Sequence, residues 1–233
     1  MTQLLYNLPE HCIRLLSAET GSRAYNLATP TSDSDIKLVY TYPLKALLGL
    51  DNIEDSIDGK TPCDYQGHEL GKFCKLLLKG NPNTIELLFL KEYIYIAPEM
   101  QFLIKNRRKF LTQSLINSYI GYAVSQLSLL EKGKYLHTTS GNYNCKWAYH
   151  LIRLLREGLR ISSGLDPMVF WPINHPVRDR LWAIRQDQVS KSDVIAEAKS
   201  LLDDLKTEKK NLPEFCDKTL VNEWLINTRM KFV

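Results

Sequence analysis

The stretch Thr20-Gly21-Ser22-Arg23-Ala24-Tyr25, followed across a polar loop by Ser32-Asp33-Ser34-Asp35, holds the residues of this chain best suited to chemistry. A Gly-Ser at the exit of a strand lets backbone N–H groups and a hydroxyl approach a phosphate, and a short helix starting there adds a dipole that favours an anion. Asp33 and Asp35 stand at i and i+2, a spacing that an extended strand points to one face. Two adjacent carboxylates repel unless a cation lies between them, so the pair reads as a site for a hard divalent metal. A phosphate cradle facing a metal-binding pair suggests nucleotidyl transfer. Taken singly, Gly-Ser is a common turn dipeptide and Asp-Ser-Asp after Thr-Pro-Thr-Ser is a common solvated turn. Their combination at this spacing favours the site.

Phosphoryl chemistry on two metal ions calls for a third carboxylate on an adjacent strand. Asp64 opens a short extended segment and is the natural candidate. Glu86 is the rival: it interrupts an apolar, strand-like run and would be costly to bury unpaired, although it could equally be the partner of a nearby Lys or Arg. A second set of charges lies on a helix predicted from Asn144 to Arg160, where Ala148, Leu151, Ile152, Leu155 and Leu159 occupy one side. Lys146, His150, Arg153 and Glu157 fall at i, i+4, i+7 and i+11 on the other. Such a row is either a solvated face, with Glu157 pairing Arg153, or a clamp for a triphosphate.

The Gly-Ser and Asp-x-Asp elements at this spacing resemble the signature of the DNA polymerase beta-like nucleotidyltransferase superfamily. Many relatives have Gly where this chain has Asn26, and Asn is the next most tolerant residue for a left-handed backbone. Asp64-Tyr65-Gln66-Gly67-His68-Glu69-Leu70-Gly71-Lys72, followed by Leu77-Leu78-Lys79-Gly80-Asn81-Pro82-Asn83, is similar to a subfamily of predicted nucleotidyltransferases that includes bacterial YcgL-type proteins and phage relatives associated with RNA ligases. The likeness covers residues 12 to 160. It implies a metal-dependent transfer of NMP from an NTP to an acceptor hydroxyl on an RNA end or a protein side chain. Asp33, Asp35 and Asp64 would bind two Mg²⁺ (or Mn²⁺) ions. Gly21 and Ser22 would hold the β- and γ-phosphates with Arg23 beside them, and Lys146, His150 and Arg153, similar to the Lys, His and Arg of the subfamily's helical half, would neutralise pyrophosphate. Asn81 and Asn83 fall in a further motif of the subfamily, and Tyr119 and Gln126 match a stretch that lines the cleft, against the plainer reading of a core aromatic and a surface amide. The alternative is a catalytically idle relative that binds RNA or a partner protein. Survival of all three acids favours the enzyme.

The elements that must position these groups are legible in outline. Cys12 to Ala18 predicts a first strand leading into Gly21-Ser22, and Asp35 to Thr41 a second, with Ile36, Leu38 and Tyr40 on one face and Asp35, Lys37 and Val39 on the other. Tyr42 to Gly49 reads as a short helix with Pro at its start and Gly at its end. Asp51 to Lys60 reads as an exposed hairpin or loop. Leu70, Phe73, Leu77 and Leu78 recur at helical spacing, stopped by Gly80-Asn81-Pro82. Beyond Pro98 the texture turns helical. Ile116, Tyr119, Ile120, Ala123, Leu127 and Leu130 form a stripe ended by Gly133. After a Trp171-Pro172 and His175-Pro176 loop come two helices, one capped by Ser192-Asp193 and one over Thr219 to Met230. The charge run Lys206 to Lys210 reads as solvent-facing, with RNA backbone as its other use.

The expected fold is therefore α/β (α+β), a small mixed-sheet core over residues 1–98 and a helical domain over 99–233 closing the nucleotide cleft. With 233 residues and 44% apolar content the chain can bury a real core. A formal charge of +4 suits a polyanionic partner without demanding one. Five scattered cysteines without a Cys-x-x-Cys pair read as buried or incidental thiols. The apolar runs are far shorter than the roughly 20 residues that span a bilayer, and the N-terminal stretch lacks a signal-peptide pattern, which together predict a cytoplasmic protein away from membranes.

Overall fold

The structure, a computed structural model, describes residues 8–133, 143–208 and 212–233. The reading of the N-terminal stretch and the Lys209-Lys210 part of the charge run therefore lie outside the described residues. The chain is a mixed α/β fold with a helical C-terminal half, and it divides into two compact units, residues 1–110 with 216–233, and residues 111–215.

The first unit is built on a five-stranded sheet: β1 (Ile13–Thr20), β2 (Asp35–Thr41), β3 (Ser56–Gly59), β4 (Asp64–Glu69) and β5 (Tyr95–Ile96), in the order β3-β4-β2-β1-β5. Only β2 and β4 run parallel; β1 pairs antiparallel with β2 and β5, and β3 with β4. The alternation read from the sequence holds along β2. Ile36, Leu38 and Tyr40 join Cys12, Tyr42, Ile57 and Tyr65 in one core cluster, while Asp35, Lys37 and Val39 face the other way. The acidic segment before β4 supplies β3, so the expected hairpin is a strand of the sheet.

Short helices fill the connections. They are α1 (Gly21–Ala24), α2 (Leu44–Leu48, ended by Gly49), α3 (Leu70–Leu78), α4 (Pro82–Glu86) and α5 (Gln101–Lys105). The run around Glu86, expected as a strand, is the end of α4 and a 3₁₀ turn. Pro82 sits at its first turn and Asn81 Oδ1 accepts from Thr84 N at 3.1 Å, an N-cap that commits the segment to helix. At the end of β4, buried Glu69 caps α3 by accepting from Gly71 N at 2.6 Å.

The last helix, α10 (Lys218–Arg229), belongs with the sheet and not with the helices preceding it. Arg229 Nη2 donates to both Glu69 carboxylate oxygens at 2.7 and 2.9 Å, Trp224 stacks on Phe102, and Leu44 N donates to Phe232 O at 2.6 Å.

The second unit comprises α6 (Gln113–Glu131), α7 (Cys145–Ser162), α8 (Pro176–Arg185) and α9 (Lys191–Glu208). The α6 stripe buries Ile116, Tyr119, Ala123, Leu127 and Leu130, and Gly133 follows the helix at φ 62°. Helix α7 packs against α6, α8 and α9. Glu197 on α9 accepts from Arg156 of α7 at 2.8 Å and Arg180 of α8 at 2.9 Å. The loop predicted around His175-Pro176 gives way to a third tail helix, α8, because His175 Nδ1 caps Val177 N at 3.2 Å and Pro176 is preset for the first turn. The cap of α9 is Ser190, whose Oγ accepts from Asp193 N at 3.1 Å, two residues earlier than the Ser192 of the expected Ser192-Asp193 cap.

Candidate functional site

Three strand ends meet at one edge of the sheet: the exit of β1 and, because β2 runs antiparallel to it and β4 parallel to β2, the entries of β2 and β4. At the exit the chain turns through Gly21 at φ 66° into α1. A Cβ there would overlap Asp35 Oδ2 and lie 3.2 Å from its Cγ, so Gly is required both by the backbone and by the carboxylate lying against it. Asn26, three residues after Arg23, adopts φ 59°, a left-handed conformation that Asn tolerates best after Gly. Tyr25, which closes α1, donates its hydroxyl to Glu86 Oε2 at 3.0 Å.

Asp35 is the first residue of β2, with Thr20 opposite it on β1 and Asp64 opposite it on β4. Paired residues of neighbouring strands share a face and their strands lie about 4.8 Å apart, so the two acidic side chains leave the same face of the sheet. Asp35 is half-buried and Asp64 exposed. The field at this edge is negative: the Cys63 thiol is pushed up by burial and, beyond that, by Asp64, Glu19 and Asp35. Two carboxylates on one face of the sheet, that of Asp35 lying against the Cβ-free Gly21, supply the hard oxygen donors that suit a divalent cation.

Asp33 is placed differently from the strand alternation. It precedes β2 in an exposed loop, which Thr29 N holds by donating to Ser32 Oγ at 2.8 Å, so no pleat directs its side chain. Among the described residues no three His, Cys, Asp or Glu side chains are gathered closely enough to hold a metal ion. The structure thus brings Asp35 and Asp64 together and leaves Asp33 at the loop beside them. Glu86 lies on α4, buried, with Tyr25 as its partner. Arg23 directs its guanidinium to the acid loop, donating to Ser32 O at 2.9 Å and Asp33 O at 3.4 Å.

Two residues at this edge carry no role in the sequence reading. Glu19, the last charged residue before the turn, accepts from Ser34 Oγ at 2.7 Å and meets Arg23 Nε at 3.5 Å. Lys37, two residues past Asp35 on the same face, donates to Gln66 Oε1, and burial lowers its pKa against the pull of Asp35. The signal for Lys37 was available, a charged residue at strand period from Asp35, whereas Glu19 has no candidate acid at that period.

In the second unit the row on α7 departs from a solvated face. Arg153 and Glu157 are buried to 0% and 1% exposure, since α7 is surrounded by α6, α8 and α9. Burial, then Arg153 and Lys146, depresses His150 to about 3, so it is neutral at pH 7. Lys146 is the exposed member of the row. Tyr119 is fully buried in α6, matching the core-aromatic reading, and Gln126 is partly buried.

A family model described as the RNA repair pathway DNA polymerase beta family, RlaP, matches residues 9–223. An uncharacterized 38.9 kDa protein in the nrdC-mobD intergenic region of Enterobacteria phage T4 is 27% identical over 122 residues, 46% of this chain and 36% of that protein. The chain thus spans about a third of the length of that relative. The crystal structure of a nucleotidyltransferase-like protein from Exiguobacterium sibiricum 255-15 aligns with 12% identity and a TM-score of 0.35 over 96% of this chain and 75% of that one. Among the described residues no helix is long and apolar enough to cross a membrane.

Proposed function

From a chain that belongs to the RNA repair pathway DNA polymerase beta family, we propose a metal-dependent nucleotidyltransferase that moves an NMP from an NTP to a hydroxyl at an RNA end. The observation carrying this reading is the register of Asp35 against Asp64 beside the Gly21 turn, two acids and an anion-approachable backbone at one sheet edge. The family's description favours an RNA hydroxyl over a protein one as acceptor.

In this reading Gly21 and Ser22 receive the β- and γ-phosphates through backbone N–H groups of the turn and the Ser22 hydroxyl. Asp35 and Asp64, joined by Asp33 from the loop beside them, would hold Mg²⁺ or Mn²⁺, which when bound supplies Lewis-acid polarisation of the phosphates and neutralisation of their charge. Asp64, exposed at the strand entry, orients the acceptor hydroxyl for in-line attack on the α-phosphate. Lys146 is the charge of the α7 row that reaches solvent. His150 is neutral and Arg153 is enclosed, so neither is given a direct contact.

The test is the thermal shift produced by ATP with Mg²⁺. Asp35→Asn and Asp64→Asn should abolish a shift that wild type shows, whereas Glu86→Gln, whose carboxylate is engaged by Tyr25, should keep it. No shift for any NTP with either metal in wild type would replace this reading with that of an idle binding relative, and a dead Glu86→Gln beside an active Asp64→Asn would overturn the third-carboxylate assignment.

A further inference from the structure

Every residue from Ser32 to Asp35 is fastened to the five-residue stretch 19–23. Arg23 Nη2 donates to Ser32 O at 2.9 Å and Arg23 Nε to Asp33 O at 3.4 Å. Ser34 Oγ donates to Glu19 Oε1 at 2.7 Å, and Thr20 Oγ1 to Asp35 O at 3.0 Å. The same Glu19 oxygen lies 3.5 Å from Arg23 Nε and so holds the guanidinium in place. Asp33 lies ahead of β2, where the strand ladder does not reach; the edge of the Arg23 fork reaches its carbonyl instead.

We infer that Arg23, held by Glu19, is a positioning residue that straps the acid loop onto the phosphate turn and sets where the Asp33 carboxylate stands. This rests on the proposed function, in which Asp33 is one of the cation-binding acids. It also replaces the expectation that Arg23 contacts the nucleotide, because Nε and Nη2 are directed to backbone carbonyls. The side chains of Arg23 and Glu19 are each 42% exposed, and ion pairs at such exposure add little to stability, so the strap acts on geometry more than on folding. Its effect belongs with that of groups that orient metal ligands from behind, whose removal costs about 10- to 100-fold in metal affinity. Lysine cannot substitute, since a single ammonium does not present two coplanar donors to two carbonyls.

The experiment titrates Mn²⁺ into full-length protein with a saturating non-hydrolysable ATP analogue, reading free Mn²⁺ by electron paramagnetic resonance. It then measures analogue affinity at saturating Mn²⁺ and the melting temperature of each variant. Arg23→Gln should weaken Mn²⁺ binding about 10- to 100-fold while analogue affinity at saturating Mn²⁺ returns to the wild-type value. Arg23→Lys should behave like Arg23→Gln, and Glu19→Gln should move in the same direction by less, with melting temperatures close to wild type. Unchanged Mn²⁺ affinity in Arg23→Gln would overturn the strap. So would analogue affinity that stays weak at saturating Mn²⁺, the behaviour of a direct phosphate ligand. Wild type that binds no Mn²⁺, or an Asp33→Asn variant that binds it as wild type does, would instead overturn the proposed function on which the strap depends. Should Arg23→Gln fail to fold, Glu19→Gln carries the same comparison.

Discussion

At the scale of single residues, the position with least freedom is Gly21. Its φ of 66° disfavours any L side chain by roughly 1–2 kcal/mol, and a methyl there would also push on Asp35 Oδ2. The first cost is one of stability; the second moves the acid whose neighbour across the strands is Asp64. Gly21→Ala should therefore fold, melt a few degrees lower and lose the Mg²⁺-dependent shift with ATP. A variant that melts lower yet binds ATP with Mg²⁺ as wild type does would show that contact between the turn and Asp35 has no part in the site.

At the scale of elements, α7 shows how a buried helix can carry a polar row. His150 provides its measurable signature. In the unfolded chain a histidine titrates near 6.5, while in α7 burial and then Arg153 and Lys146 hold it near 3. Below pH 6.5 the unfolded state gains a proton that the native state refuses, so this contribution to stability is whole above 6.5 and shrinks as pH falls toward 3. The slope is about 1.4 kcal/mol per pH unit. Urea unfolding at pH 7 and pH 5 should accordingly differ by about 2 kcal/mol from this group, and His150→Gln should remove most of that difference. Equal losses in both proteins would place the acid sensitivity elsewhere. The same helix marks where sequence reading stops. Period 3.6 gave its extent and its apolar side, but Arg153 and Glu157 are enclosed because three helices surround α7, and periodicity says nothing of how many neighbours a helix has. Strand β2 was legible from Asp35 to Thr41 because alternation and a half-buried face coincide there. Glu86 was misread as part of a strand because a short apolar run fits either element, and the Asn81 cap decided it. Asp33 escaped because the alternation that places Asp35 starts one residue after Ser34.

At the scale of the whole chain, residues 111–215 are inserted into a unit that begins before them and ends after them. The first unit is complete only when α10 returns, and the join is chemically specific. Glu69 is 5% exposed at its side chain, caps α3, and receives Arg229 through both carboxylate oxygens. Removing one partner of such a pair leaves a buried carboxylate to be solvated, which costs about 3–5 kcal/mol when burial is full and somewhat less here, where Arg229 keeps 26% exposure. Loss of the Trp224 stack on Phe102 adds to that. Ending the chain at Phe215 should therefore destabilise β4 and α3, which lie far from the cut in sequence, and leave α6 to α9 next to it intact. Hydrogen exchange read by mass spectrometry separates the outcomes. Protection should fall across residues 64–78 and 98–105 in the truncated protein, with Arg229→Ala reproducing the fall at 64–78 in milder form, while 113–131 and 145–162 stay protected. Protection lost first in 191–208, the helix nearest the cut, would mean instead that α10 stabilises its sequence neighbours and that the division into an enclosing and an inserted unit does not govern how the chain unfolds.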